Sequence, residues 1–363
     1  MFNPMSRRTL LQAGLALGVA GVAAGCSTAG SGSGSSNGSA GAGASNAKYL
    51  VPSVDGPLLV GLANGWAGNS WRSQMVAEFE YACKNQFADD VKQYQVTDAN
   101  NSVDTQISQI NDMITSGVNL ILIDAASASA LAGVVERAQQ TGIQVVSFDN
   151  AVESEYNIIV NTKADEFGRI GGEWLAKKLA SGDEVFMLDG VSGTPVSIGR
   201  ADAAKKALEA AKIKVTANAA GDWDQAKAQA ATGNLLSAHP DVKGIYSQGG
   251  AMTLGALQVL EQRGLPMLPI PGEGYNGFLK KWKELKDASG WESIAPSQSP
   301  TLVVTALEYG IKALRGEDPG QMPEVELDII TQDNLDEMVR PDMSDAMFLP
   351  TKLPDDVLSK LFG

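Results

Sequence analysis

Ile143-Gln144-Val145-Val146-Ser147-Phe148-Asp149-Asn150 decides how the rest of this sequence is read. Apolar side chains dominate from Ile143 to Phe148, between turn residues, as in a strand buried on both faces of a parallel sheet. The run then stops at an acid and an amide. In open α/β sheets, ligands gather beyond the carboxyl ends of the strands. Asp149 and Asn150 therefore stand where a ligand would be met.

The same rhythm extends on both sides. Strands are expected at Leu58–Ala63, Val91–Val96 and Asn119–Asp124, with helices through about Asn85, over Ser102–Thr115 and over Ser129–Gln140. Val103, Ile107, Ile110 and Ile114 recur at helical spacing, and the mixed polarity of Val91–Val96 suits a sheet edge. After residue 148 the pattern restarts. Tyr156–Val160 crosses over, and strands at Glu184–Leu188, Lys214–Ala217, Val242–Tyr246 and Met267–Ile270 alternate with helices. Ser293–Ala295 is a short strand, Thr301–Leu314 a helix and Val325–Ile330 a returning strand. The remainder is acidic and proline-punctuated. Two consecutive βα arrays predict two doubly wound, Rossmann-like α/β lobes.

Composition narrows the function. The 363 residues allow two domains of ordinary size, and the net charge of -14, with no basic tract beyond the leader, argues against a nucleic-acid groove. No Gly-x-Gly-x-x-Gly follows the first strand, and Gly272-Glu273-Gly274 is a poor match for a dinucleotide turn. The sequence holds no Walker A, His-Glu-x-x-His or Gly-x-Ser-x-Gly motif. One histidine, His239, and two cysteines, Cys26 and Cys83, do not make a four-ligand zinc site. No cofactor, metal or catalytic group is expected, and Cys83 reads as a packed free thiol.

Residues 1–25 read as an export signal. Arg7-Arg8 precedes a short apolar run, resembling a twin-arginine signal, and Val22-Ala23-Ala24-Gly25-Cys26 resembles a bacterial lipobox. Leu10–Ala24 is shorter than the roughly 20 residues that cross a bilayer. Cys26 is then the lipid-bearing first mature residue. Residues 27–46 contain only Ser, Thr, Ala, Gly and Asn; they are read as a coil tether spanning roughly 25 Å.

Polar and aromatic side chains collect where parallel strands are expected to end. Trp66, Asn69, Trp71 and Arg72 follow the first strand; the tryptophans cover a ligand face or anchor packing, and Arg72 meets ligand or an acidic neighbour such as Glu78. Asp149 binds hydroxyls or caps a turn. Arg200 reaches the cleft or is a solvated helical arginine, and Gln298 contacts ligand or packs a hinge. Glu273 accepts from hydroxyls or pairs with Lys280 or Lys281. Asp222 and Asp224 flank Trp223 as helix-capping groups, which is the simpler account of that stretch. Carboxylates, amides and guanidiniums around planar rings suit a sugar or polyol.

In chain order, Leu120–Asp124, Gly142–Asp149, Gly168-Arg169-Ile170-Gly171-Gly172, Gly221–Asp224, Leu235–Ile245 and Ala251–Leu257 resemble the ribose-binding, type I class of extracellular solute-binding proteins. The resemblance covers about 57–330 and implies a periplasmic binding protein type I fold, two lobes joined by three crossovers. It implies 57–161 and 299–325 as lobe 1, and 162–298 and 326–363 as lobe 2 with the tail; residues 26–56 ahead of them are read as the lipid-anchored linker. It also implies an ABC importer component that captures a monosaccharide or polyol, with a permease and its ATPase as partners, outside the cytoplasm, as a lipid-anchored monomer. By position, Asn69, Trp71, Asp149, Arg200 and Gln298 match family binding residues; Trp66, Arg72, Asn150 and Glu273 complete the expected rim. Three departures stand out: Asn150 replaces an Arg, Gly249-Gly250 replace an Asn-Asp pair and Glu273 replaces an Asp. Space for a larger ligand is expected there. A sensing subunit for a membrane receptor and nucleoside binding are the alternatives.

Overall fold

The computed structural model describes residues 47–363. The expected export signal, Cys26 and the tether through residue 46 lie outside them. The first array runs β1 (Leu58–Asn64), α1 (Ser70–Lys84), β2 (Val91–Asp98), α2 (Val103–Ser116), β3 (Leu120–Asp124), α3 (Ala132–Gln140), β4 (Gln144–Phe148) and β5 (Ile158–Thr162). The second runs α4 (Ala164–Lys177), β6 (Glu184–Asp189), α5 (Pro195–Ala210), β7 (Lys214–Ala220), α6 (Gln225–Ala238), β8 (Gly244–Ser247), α7 (Gly250–Gln262), α8 (Asn276–Ser289) and β9 (Ala295–Ser297). The chain ends with α9 (Leu302–Leu314), β10 (Glu324–Val325), β11 (Asp328–Ile330), α10 (Leu335–Met338) and α11 (Asp355–Phe362).

One parallel sheet has the order β10-β5-β4-β3-β1-β2, a second has β7-β6-β8, and β11 pairs antiparallel with β9. Every residue of β3 and β4 is buried, whereas edge strand β2 buries only Val91 and exposes Lys92, Gln93, Gln95 and Asp98, in keeping with its mixed polarity. Helix α9 returns to the first sheet and adds Leu302, Val303, Leu307 and Leu314 to its core. Three connections pass between the two α/β lobes: β5 to α4, β9 to α9 and β10 to β11.

Two expected strands differ. Met267–Ile270 is extended and gives a carbonyl at Pro269 to the Ile245 N–H, at 3.2 Å, but is not a strand. Pro269 and Pro271 remove the donors a ladder needs. The returning strand is broken in two because its halves pair with different sheets, β10 with β5 and β11 with β9.

The tail meets both lobes, beginning on lobe 2. Asn276 of α8 binds the carbonyls of Arg340 and Ser344, and Lys280 pairs with Asp345 at 2.8 Å, which holds residues 340–345 on that lobe. Phe348 then bridges Tyr275 while exchanging two hydrogen bonds with the Gln74 side chain, at 2.8 and 3.0 Å, on α1 of the other lobe. Thr351 donates to Glu78 at 2.6 Å, one turn further along α1. The polar side chains Gln74 and Glu78 are buried on α1 because the tail supplies their partners. Among the described residues, no helix is long and apolar enough to cross a membrane.

Candidate functional site

A cleft of about 890 Å3 opens between the lobes, within the range of small-molecule sites. All nine residues expected at a site, Trp66, Asn69, Trp71, Arg72, Asp149, Asn150, Arg200, Glu273 and Gln298, line it. Their distribution follows the topology. In the first sheet β1 lies between β2 and β3, so chain order reverses there, and in the second β6 lies between β7 and β8. Loops at such reversals diverge and leave a crevice.

On the first lobe, Asn69 caps α1 by accepting the Arg72 N–H at 2.9 Å, and so fixes the first turn that carries Trp71 and Arg72. Trp71 is nearly enclosed and donates its indole N–H to the Gln298 carbonyl at 2.8 Å, which ties α1 to the segment just after β9. Arg72 is 7% exposed. Its guanidinium contacts Asp124, donates to Asn64 at 3.1 Å and reaches Asp149 at 3.0 Å. Burial pushes it below its ordinary pKa, and the Asp149 charge works against that. Glu78 is not its partner.

Asp149 leaves β4 in the left-handed region at φ +52°, which Asp tolerates better than most residues. Its carbonyl accepts from Asn161 at 2.7 Å. Its carboxylate accepts from Gln298 at 2.5 Å, and from Arg72 and Asn150 at 3.0 Å each. Two carboxylate oxygens offer about four acceptor sites, so capacity remains for a hydroxyl.

On the second lobe, Thr194 caps α5 with Pro195 behind it, and Arg200 lies in the second turn, 3% exposed. Its guanidinium sits 3.6 Å over the Phe167 ring, pairs with Glu273 at 3.1 Å and donates to the Gln248 carbonyl at 2.8 Å. Gln248 in turn donates to Asp189 at 2.9 Å and to the Ser197 carbonyl at 3.1 Å. Burial pushes the Glu273 carboxyl up, and Arg200 pulls it back. Glu273 therefore pairs with Arg200, not with Lys280 or Lys281. Among the described residues, neither Arg200 Nε nor Asn64 Nδ2, both buried, finds an acceptor.

Three participants were left out of the expected site. Trp223 lines the cleft with its indole against Gly190 and Gly249, where a β carbon would lie 1.9 Å and 3.1 Å from the ring. Asp224 does cap α6, but Asp222 and Trp223 are both left-handed, at φ +53° and +59°, and this turn swings the indole inward. The room expected at Gly249-Gly250 is thus taken by Trp223, and by Glu273 and Tyr275, which approach Gly250. Asp124 lies beneath Arg72; it ends its strand as Asp149 does, and that likeness was its signal. Phe348, from the tail, forms part of the wall, and no local pattern points to it. Among the described residues, no group of three His, Cys, Asp or Glu side chains is placed to hold a metal ion.

Two α/β lobes with parallel sheets, three crossovers and a polar, aromatic cleft between them define a bilobal solute-binding protein. The chain belongs to the periplasmic binding protein domain family, which matches residues 60–317, a family of binding proteins and not of catalysts. It is similar to the ribose import binding protein of Salmonella typhimurium, 29% identical over 225 residues, 61% of this chain and 74% of that one. The xylitol-binding protein of Mycolicibacterium smegmatis is 29% identical over 244 residues, 66% of this chain and 68% of its own. A solved ABC transporter solute binding protein from Thermobispora bispora superposes with a TM-score of 0.69 at 26% identity, covering 80% of this chain and 90% of that one.

Proposed function

We propose that this chain is the extracytoplasmic binding component of an ABC importer, taking a monosaccharide or related polyol into the cleft and presenting it to the permease and its ATPase. The observation that carries this reading is that Asp149 and the Arg200–Glu273 pair line one cleft together with Trp66 and Trp223. Hydroxyls need closely spaced donors and acceptors, and the carbon face of a sugar ring packs on planar aromatics. Relatives named for ribose and xylitol agree with that chemistry. The nine cleft residues Trp66, Asn69, Trp71, Arg72, Asp149, Asn150, Arg200, Glu273 and Gln298 bind or position the ligand. The lobes close about the crossovers, and closure is favoured only as far as the ligand prefers the closed form.

The protein works as a monomer held at the membrane by lipid on Cys26, with residues 27–46 as tether. Metabolic labelling with a fatty acid tests the anchor, and label that persists in Cys26→Ser would remove it. Tryptophan-fluorescence titration with neutral sugars, polyols, nucleosides and amino acids tests the ligand class. Saturable binding of a sugar or polyol, weakened in both Asp149→Ala and Arg200→Ala, is expected. Binding of nucleosides alone would assign the cleft to them instead.

A further inference from the structure

Asp124 is fully buried and does not line the cleft, yet it touches a residue that does. It ends β3 in register with Asn64 of β1, at the point where the strand order reverses. Its carboxylate meets Nη1 of Arg72, while Nη2 of the same guanidinium reaches Asp149 at 3.0 Å. One cation serves two carboxylates. The side chains that hydrogen-bond this trio are neutral amides: Asn64 accepts from Arg72 at 3.1 Å, and Asn150 and Gln298 donate to Asp149 at 3.0 and 2.5 Å, while the Trp71 ring lies 5.5 Å from the guanidinium and the Asp98 charge nearby is also acidic. Arg72, Asp124 and Asp149 together carry one net negative charge.

The rest of the lining does not cancel it. Arg200 is matched by Glu273 at 3.1 Å and Lys227 by Asp222 at 2.8 Å. The remaining charged side chains of the wall, Glu153 and Asp224, are acidic. Resting on the reading of the cleft as a site for a sugar or polyol, we propose that Asp124 sets its charge selectivity through Arg72. By sharing that cation, Asp124 keeps Asp149 net negative and available to hydroxyls, so the site takes uncharged polyhydroxy compounds and turns away sugar acids and sugar phosphates. Asp124 is a positioning residue that touches no ligand. Without its charge, Arg72 would belong to Asp149 alone, that wall would be neutral, and an anion would lose the repulsion that excludes it.

The test compares wild type, D124N, R72Q and the D124N/R72Q double variant, each checked for folding by thermal melting. Calorimetry with D-ribose, D-allose, xylitol and myo-inositol, and with D-ribonate and D-xylonate, gives the neutral-to-acid affinity ratio. Quenching of tryptophan fluorescence by iodide, caesium and acrylamide with no sugar present reads, as a difference between variants, the charge near Trp66, Trp71 and Trp223, because the partly exposed Trp174 and Trp291 do not line the cleft. D124N is expected to lower the affinity ratio at least about tenfold, the effect of one unit charge roughly 12 Å away at an effective dielectric constant of about 20. It should raise iodide relative to caesium quenching and leave acrylamide unchanged. The double variant again carries one net negative charge and is expected to regain the wild-type iodide-to-caesium ratio, which repair of packing would not explain. R72Q, with two negative charges, should shift that ratio the other way, and it decides the matter if D124N does not fold. An iodide-to-caesium ratio that is the same in wild type, D124N and R72Q overturns the proposal, as does a double variant that stays at the D124N value. A wild type that binds none of the four neutral compounds removes the sugar reading, while the quenching series still judges the charge assignment.

Discussion

Gly168 on α4 faces the backbone of Arg200 on α5 so closely that a β carbon at 168 would lie 2.1 Å from the Arg200 carbonyl oxygen. The two helices pack with backbone against backbone at this point, and the cleft arginine takes its height from the contact. Gly168→Ala is expected to push α5 outward, costing about 1–3 kcal/mol of stability as an overpacked core position. It should also weaken ligand binding although residue 168 is not in the cleft wall. Urea unfolding and calorimetry on the same variant check both effects, and unchanged affinity would mean that Arg200 does not depend on the spacing of α4 and α5.

Trp223 offers its indole to the cleft from the second lobe, 5.2 Å from the Arg200 guanidinium. Trp223→Ala is expected to weaken sugar binding by about 2 kcal/mol, roughly thirtyfold, as aromatic anchors at the centre of a site do. Calorimetry against the compound that wild type binds gives the number. A change below twofold would place Trp223 outside the binding surface.

Glu78 accepts from the Thr351 hydroxyl at 2.6 Å and the Lys352 N–H at 3.3 Å, yet burial pushes its carboxyl above the usual range. A carboxyl raised in the folded state contributes stability below its ordinary pKa of about 4.3, and that contribution is lost as pH rises through the elevated value. Glu78→Gln keeps the shape and an acceptor without the charge. Its stability relative to wild type is therefore expected to improve between about pH 4 and pH 7.5, measured by urea unfolding at both. A difference that shrinks across this interval would show that the ionised form is the better partner for the tail.

Cys83 is a buried free thiol on α1, and burial pushes it up to about 12. The thiolate is the reactive form. A Cys26→Ser variant should resist iodoacetamide at about pH 8 until denaturant is added. Rapid labelling of the native protein would place Cys83 at an opening in α1 that the packing does not show.

Much of this site was legible because a parallel strand shows in sequence as a short apolar run, and the residue that ends it is then known to face the crevice. Asp149 was found in this way, and the same reasoning applied to Leu120–Asp124 would have found Asp124. Trp223 was passed over because Asp222 and Asp224 beside it are good helix caps. The left-handed turn that aims the indole depends on Gly190 and Gly249 making room, a relation between distant loops. Arg72 was read with open alternatives because its partners, Asp124 and Asp149, come from other strand ends. The contact of the tail with α1 was not legible for a similar reason: Phe348 and Gln74 are 274 residues apart, and nothing local in either marks the other.

That last pair has a mechanical implication. The backbone passes between the lobes three times, but the seam from Phe348 to Thr351 stitches α1 to the Tyr275 loop without a covalent link. Any swing of one lobe must carry this seam along or tear it, so the resting angle of the molecule is written partly in residues past the last crossover. A biosensor made from this protein should therefore keep its reporter away from Gly363, where it would load the stitching rather than follow the jaws.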